Sequence, residues 1–162
     1  MSENINIYGL TPRDRSKRDS QYYYNETQRL KGEVMTLADS LVGKPKRFSI
    51  DNGIEMDVEV TKSDLRNIVN KFSDDFKFNA IRNALVRDLE KYLNKAKYEG
   101  WREVEDGKHS EVAFFAYYSR ALGAKTYLCM RKVGKVFKPY AIVDEKTFLF
   151  GKDRLRKDKP SK

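Results

Sequence analysis

Cysteine and histidine are almost missing from this chain of 162 residues, which contains one of each, Cys129 and His109. A single cysteine excludes an internal disulfide, and this composition lacks the Cys and His spacings of structural zinc sites. The sequence also has no clustered carboxylate motif of the kind that holds two metal ions. We therefore expect no metal site, and a single thiol fits a reducing compartment best.

Long apolar runs and nucleotide-binding loops are missing as well. No stretch approaches the ~18 apolar residues of a membrane span, and residues 1–6 lack the features of a secretory signal. The chain has no Gly-rich loop ending in Gly-Lys-Ser/Thr, no Gly-x-Gly-x-x-Gly and no Gly-x-Ser-x-Gly. These absences argue against nucleotide hydrolysis, dinucleotide binding and serine hydrolase chemistry. We expect a cytoplasmic protein that binds no cofactor and no membrane.

Positive charge is abundant, with 33 Lys and Arg against 24 Asp and Glu and a formal net charge of +9. Such an excess attracts polyanions, so the expected partner is nucleic acid, RNA more than DNA, or a nucleoprotein complex. The alternative is that the charge only keeps the protein soluble. Apolar residues make up 40% of the chain, which is enough for one core at this length.

The composition divides the chain into three parts. Residues 1–25 are predicted to form a flexible basic arm, because the stretch is polar, lacks an apolar period and ends in Tyr22-Tyr23-Tyr24. These tyrosines either stack on a partner or pack back onto the domain. Residues 26–150 are predicted to form a single α+β domain, and residues 151–162 a basic tail.

The first half of the predicted domain has helical patterns around one hairpin. Apolar residues spaced by three and four predict a helix from Glu26. Asp51-Asn52-Gly53 separates two short runs, the second of which alternates apolar with acidic residues, and this predicts a β-hairpin. An N-capping pattern at Thr61 begins a short helix, and an apolar stripe over residues 78–96 predicts one long amphipathic helix.

The second half changes to short runs rich in aromatic and β-branched residues. These runs are Val112 to Ser119, Thr126 to Val133 and Val136 to Val143. They predict an antiparallel β-meander. The expected fold class is therefore α+β, with N-terminal helices and a β-hairpin packed on a C-terminal antiparallel meander.

Two groups of side chains are candidates for contact with nucleic acid. A basic ridge recurs every four residues on the predicted long helix, and strand alternation pairs tyrosines with cations on common strand faces. If the strand faces coincide, the rings stack on bases and the cations hold phosphates; otherwise the tyrosines fill the core and the cations face water. The candidate nucleic-acid-binding residues are Arg87, Lys91, Lys95, Lys108, Tyr117, Tyr127, Arg131 and Lys138.

One reaction stays open with these residue types, the metal-independent cleavage of RNA. A base activates the 2′-hydroxyl, cations stabilise the charged phosphorane, and an acid protonates the leaving oxygen. His109 is the only side chain that normally titrates near neutrality, and Lys108 precedes it. The alternative is a solvated loop histidine.

The order of these features resembles a family of nuclease-like domains. The matching features are Asn94-Lys95-Ala96-Lys97-Tyr98, a polar loop with His109, Phe114-Phe115-Ala116-Tyr117-Tyr118, Lys125-Thr126-Tyr127-Leu128 and Pro139-Tyr140. Over about residues 54–150 the chain resembles the barnase–EndoU–colicin–RelE-like domains attached to large polyvalent proteins of phages and mobile elements. The resemblance implies helices packed on an antiparallel sheet whose open face takes RNA.

The resemblance also implies catalytic roles. His109 would be the acid–base residue, and Arg131, Lys138 and Tyr140 would contribute charge or proton donation. The chain departs from a fully equipped nuclease because it has no second histidine. The catalytic candidates are therefore His109, Tyr140 and Arg131, and whether the protein is an enzyme stays open.

Two classes of function follow from the sequence. The first is a phage- or mobile-element-related protein that cleaves or binds RNA through the sheet face. The second is a non-catalytic protein-binding module, such as an inhibitor of a host nucleoprotein defence complex or a virion-associated adaptor. A mimic of nucleic acid would be acidic, whereas this chain is basic, but a basic inhibitor can also grip bound RNA.

Overall fold

The computed structural model describes residues 12–71, 73–104, 110–149 and 155–158. The described helices are α1 (Pro12–Thr36), α2 (Ala38–Leu41), α3 (Lys62–Val69), α4 (Phe76–Arg87), α5 (Leu89–Lys95) and α6 (Glu145–Leu149). The described strands are β1 (Lys46–Ile50), β2 (Ile54–Val58), β3 (Lys97–Val104), β4 (Ser110–Ser119), β5 (Ala124–Val133) and β6 (Val136–Asp144). Within these ranges, no helix is long and apolar enough to cross a membrane.

The six strands form one mixed sheet in the order β1-β2-β6-β5-β4-β3. Strands β4 to β6 are the predicted meander, and β3 pairs antiparallel with β4 at its end. The predicted hairpin is β1 and β2, and its turn places Asp51 and Asn52 at positive φ, as a tight hairpin turn requires. The hairpin joins the sheet through one parallel pair, Val58 with Phe137. The α+β class, with helices mainly N-terminal and strands mainly C-terminal, is confirmed.

Helix α1 is described from Pro12 onward, so that residues 12–25 of the predicted arm are helical. Farther along, Asn83 of α4 donates a 3.0 Å hydrogen bond to the Thr27 carbonyl, and the Tyr24 ring lies 6.4 Å from that of Phe76. These contacts hold α1 along α4 although its first turns carry no apolar stripe.

The predicted single helix over residues 78–96 is two helices that meet at Asp88. The backbone leaves helical geometry there, with φ −105° and ψ 36°. Helix α4 packs against α1, whereas α5 packs on the sheet, where the buried Tyr92 hydroxyl lies 3.0 Å from the Thr126 hydroxyl. One straight helix cannot make both sets of contacts, so the expected continuous helix is wrong.

Strand β3 has no counterpart in the sequence prediction. A bulge between Tyr98 and Gly100 places Tyr98 and Trp101 in the same core, three residues apart. The bulge breaks the period of two by which a strand is recognised.

Residues 155–158, expected in a frayed tail, lie along the free edge of β3. The backbones of Trp101 and Arg156 exchange hydrogen bonds of 2.9 and 2.7 Å, and the Tyr98 hydroxyl donates to the Asp158 carbonyl at 2.6 Å. Arg156 also places its guanidinium 4.8 Å from the centre of the Trp101 ring. This segment covers an edge that would otherwise offer unpaired backbone groups.

The meander is apolar on both faces. Phe115, Leu128 and Ile142 lie opposite one another in register and belong to the larger core, together with residues of α1 to α5. Phe114, Cys129 and Ala141 point to the other side and belong to a smaller core with Phe148 of α6. We call the side with the smaller core the second face.

The buried guanidinium of Arg82 joins α4 to the end of α3. Its Nη2 donates to the Val69 carbonyl at 3.3 Å, its Nη1 donates to the Lys71 carbonyl, and its Nε donates to Asn83 Oδ1 at 3.1 Å. Burial lowers the pKa of Arg82 to about 10, so the group stays charged at neutral pH. A cation here also complements the negative C-terminal end of α3.

Arg82→Met should destabilise the fold because it removes the donors for two carbonyl groups while keeping most of the side-chain volume. We expect a loss of about 2–4 kcal/mol in the free energy of unfolding, measured by urea denaturation. Arg66→Met, an exposed position on α3, is the matched control and should change stability by under about 0.5 kcal/mol. Equal stabilities for the two variants would show that Arg82 does not hold α3.

Gly100→Ala should displace residues 155–158 from β3. Gly100 has φ +128°, and an added Cβ would lie 2.7 Å from the Arg156 carbonyl oxygen. Trp101 is the single tryptophan, so its release from Arg156 should increase the quenching of its fluorescence by acrylamide. Gly123→Ala, at φ +63° with no atom within 4 Å, controls for backbone strain alone. Quenching that stays at the wild-type level in Gly100→Ala contradicts the proposed contact.

Candidate functional site

A cavity of about 250 Å³ opens on the second face of the sheet. Its residues come from β3 to β6, from α6, from the stretch after α3 and from the C-terminal segment. They are Lys71, Arg102, Phe114, Cys129, Tyr140, Ala141, Val143, Thr147, Phe148 and Leu155. The cavity exists because α6 is only five residues long and covers part of the smaller core.

A bulge in β6 aims Tyr140 at this cavity. Cys129 pairs with Ala141 while Met130 pairs with Pro139, so that Tyr140 is an extra residue in β6. An extra residue bends the strand and redirects its side chain. Tyr140 therefore packs against the smaller core beside Ala141 instead of alternating to the other face.

Two cationic side chains lie at the Tyr140 ring. The Lys71 Nζ is 5.2 Å and the Arg131 Cζ is 4.9 Å from the ring centre. Lys71 also donates a 3.1 Å hydrogen bond to the Tyr140 carbonyl. The ring and the two cations attract each other, which places positive charge beside an aromatic surface.

The charge of Lys71 is held in an unfavourable environment. Burial lowers the pKa of Lys71, and the charges of Arg82 and Arg131 lower it further. An anion that enters the cavity would favour the charged form and oppose this effect. Lys71 is therefore a candidate for contact with a negative ligand.

A third cation, Arg102 of β3, lines the cavity from the opposite side. Its Cζ lies 5.5 Å from the centre of the Phe114 ring. None of the described residues that line the cavity is acidic. Among the described lining residues, therefore, no carboxylate neutralises Lys71 or Arg102.

The tyrosines of the predicted stacking surface are separated by the sheet. Tyr117 lies on the helix side, where its ring is 4.9 Å from that of Tyr92. Tyr127 lies on the second face but is 2% exposed, and its ring stacks on Phe148 with 3.8 Å between ring centres. Both rings pack inside the fold, and Tyr140 is the tyrosine of this set that lines the cavity.

Two of the predicted phosphate-binding cations form ion pairs within the domain. Lys138 Nζ lies 2.8 Å from Asp64 and 3.6 Å from Glu59. Arg87 contacts Glu33 at 3.0 Å and Asp88 at 3.3 Å. Neither residue lines the cavity.

The other predicted residues are divided between α5 and a segment that the structure does not describe. Lys91 and Lys95 are exposed on α5, whereas Arg87 belongs to α4. The break at Asp88 therefore divides the predicted basic ridge between two helices. Lys108 and His109 lie outside the described residues. The structure therefore brings together Arg131 and Tyr140 from the predicted catalytic set.

The described residues of the cavity include cations and aromatic rings that can bind a ligand, but few groups that can act as an acid, a base or a nucleophile. Burial raises the pKa of the Cys129 thiol to about 12, so it is not a thiolate at neutral pH. The cavity wall contains no carboxylate or imidazole among its described residues. No group of three or more His, Cys, Asp or Glu side chains that could hold a metal ion occurs in the described ranges.

The sequence did not identify Lys71 and Arg102 as site residues. Lys71 follows a helix in a polar stretch, where nothing local distinguishes it from other lysines. If the bulge at Tyr98 had been recognised, strand alternation would have placed Arg102 on the face opposite Trp101, which belongs to the larger core.

A comparison of the chain with protein-family models, with curated proteins and with solved structures found no match.

Proposed function

We propose that the protein binds RNA, with the cavity of the second face as the contact site. The observation that carries this proposal is the grouping of Lys71 and Arg102 around an aromatic cavity whose described wall has no acidic residue. Cations hold phosphates, and aromatic surfaces accept bases. Arg131 adds a further positive charge at the Tyr140 ring.

RNA is the partner expected from the sequence, but the proposed contact site differs from the expected surface. The expected surface combined tyrosines of all three predicted strands with the ridge at Arg87, Lys91 and Lys95. The contact site proposed here consists of Tyr140, Arg131 and two cations from outside those strands. A phage or mobile-element origin and a barnase- or RelE-like ancestry remain hypotheses that this site would fit.

A protein-binding module is the second candidate, and the exposed tyrosines of α1 favour it. Tyr22 is 56% and Tyr24 is 41% exposed on the first half of that helix. Aromatic side chains are enriched in protein interfaces because they bury a large area with few rotatable bonds. Such a function would use α1 and leave the cavity unaffected.

Removal of two cavity cations should weaken RNA binding and its salt dependence. We expect the double variant Lys71→Gln, Arg102→Gln to bind a fluorescent single-stranded RNA about tenfold more weakly than the wild type. The slope of log affinity against log salt should fall by about 1.4, because each phosphate contact to a single strand contributes about 0.7. Fluorescence anisotropy at several salt concentrations measures both quantities.

The matched control is Lys46→Gln, Arg47→Gln, which removes the same charge from the exposed strand β1. It should keep most of the wild-type affinity, because β1 is at the far edge of the sheet from β3. Equal weakening of RNA binding in both double variants would mean that affinity depends on the net charge of the protein and not on the cavity. A wild-type protein that binds no RNA at low salt would refute the proposal.

The cavity is expected to bind RNA without cleaving it. Wild-type protein incubated with mixed single-stranded RNA in chelator should leave the strands intact on a denaturing gel, because the described wall lacks a group that titrates near neutrality. Cleavage that is lost in both His109→Ala and Tyr140→Phe would instead establish the ribonuclease function implied by the family resemblance. The same variants should bind RNA in the anisotropy assay, which separates binding from catalysis.

A further inference from the structure

The cavity changes in character from its floor to its mouth. Phe114, Cys129, Ala141 and Phe148 are each at most 6% exposed and form an apolar floor. Lys71 is exposed and Arg102 is partly exposed, so both cations lie where the cavity meets solvent. A ligand that fits both parts therefore carries an uncharged part for the floor and negative charge for the mouth.

The size of the cavity limits what can enter it. A volume of about 250 Å³ lies below the roughly 300–1,000 Å³ of pockets for drug-sized ligands. The rings of Phe114 and Phe148 contact each other edge to face in the floor, with 5.7 Å between their centres and 63° between their planes. A cavity below the drug-sized range favours one planar ring system over a larger ligand.

A nucleotide within a strand has this combination of properties, because a flat base is attached to a charged backbone. In a duplex the bases are stacked and paired, so a base reaches a recessed site only when it leaves the stack. We infer that the cavity takes one unstacked base of an RNA strand, with the adjacent phosphates at Lys71 and Arg102. The protein would then select single-stranded over double-stranded RNA, and this inference rests on the RNA binding proposed above.

The polar groups at the mouth of the cavity suit a ligand whose base lies in the cavity and whose phosphates lie at the mouth. Lys71 is tied to the Tyr140 carbonyl and lies over the Tyr140 ring, so its Nζ is positioned before a ligand arrives. The Thr147 side chain is exposed at the cavity and offers a hydroxyl as donor or acceptor. Pre-positioned groups lower the entropic cost of binding.

Three RNA probes of about 12 nucleotides separate the base from the phosphates. The first is a strand without self-complementarity, the second its blunt duplex, and the third a strand with abasic ribose at every position. We expect wild-type protein to bind the first about tenfold more tightly than the other two at equal salt, because stacking on aromatic groups contributes this much per base.

Val143→Phe should reduce this preference to about twofold or less by filling the cavity, while the salt dependence of binding stays unchanged. Val143 lines the cavity and is partly exposed, whereas Val133 lies in β5 outside it and is 49% exposed, so Val133→Phe is the matched control. Ala141→Leu fills the same cavity from its floor and provides an independent second variant. Thermal unfolding of each variant shows whether the fold is retained.

The outcomes distinguish the two proposals. If wild-type protein binds the abasic strand as tightly as the normal strand, with a steep salt dependence, the base site is refuted and RNA binding stands. If none of the three probes binds at low salt, RNA binding itself fails. If both filling variants fold but keep the wild-type preference for the normal strand, the base enters some other part of the protein.

Discussion

The meander strands carry apolar side chains on both faces, and each face must therefore be covered. Helices α1 to α5 supply a thick cover for one face. On the second face the described cover consists of the five-residue helix α6 and Leu155. This unequal cover leaves part of the smaller core reachable from solvent, and the cavity is the result. The unequal cover of the two faces therefore produces the cavity independently of the charged residues that line it.

The two faces are connected through the end of α3. Arg82 is buried on the helix side and donates to the Lys71 carbonyl, while the Lys71 side chain reaches the second face and donates to the Tyr140 carbonyl. The backbone at Lys71 is thus held from one side and its ammonium group from the other. A flexible lysine would lose rotamer entropy on binding an anion, whereas one that is already held loses less. The buried guanidinium therefore supports the candidate site through the backbone of Lys71.

Local patterns predicted those elements whose signals lie within a few residues. Asp51-Asn52-Gly53 marked the hairpin turn, and Thr61 begins α3 with the expected reciprocal cap. The break at Asp88 and the strand β3 were missed because tertiary packing determines them: α4 and α5 have different partners, and the bulge at Tyr98 conceals the strand period. Of the predicted residues, Tyr140 lines the cavity and Arg131 lies at the Tyr140 ring, and both belong to the meander. Residues that arrive from separate elements carry no such local signal.

Net charge is a weaker guide to a binding site than the local partners of each cation. Lys138 and Arg87 each contact two carboxylates, which offset their charge before any ligand arrives. Lys71 instead lies near Arg82 and Arg131, and desolvation together with these like charges lowers the pKa of Lys71. Binding an anion at Lys71 removes this penalty, whereas binding one at Lys138 competes with an existing ion pair. For this reason the cavity is a stronger candidate for an anion site than the positions of Lys138 and Arg87 on the surface.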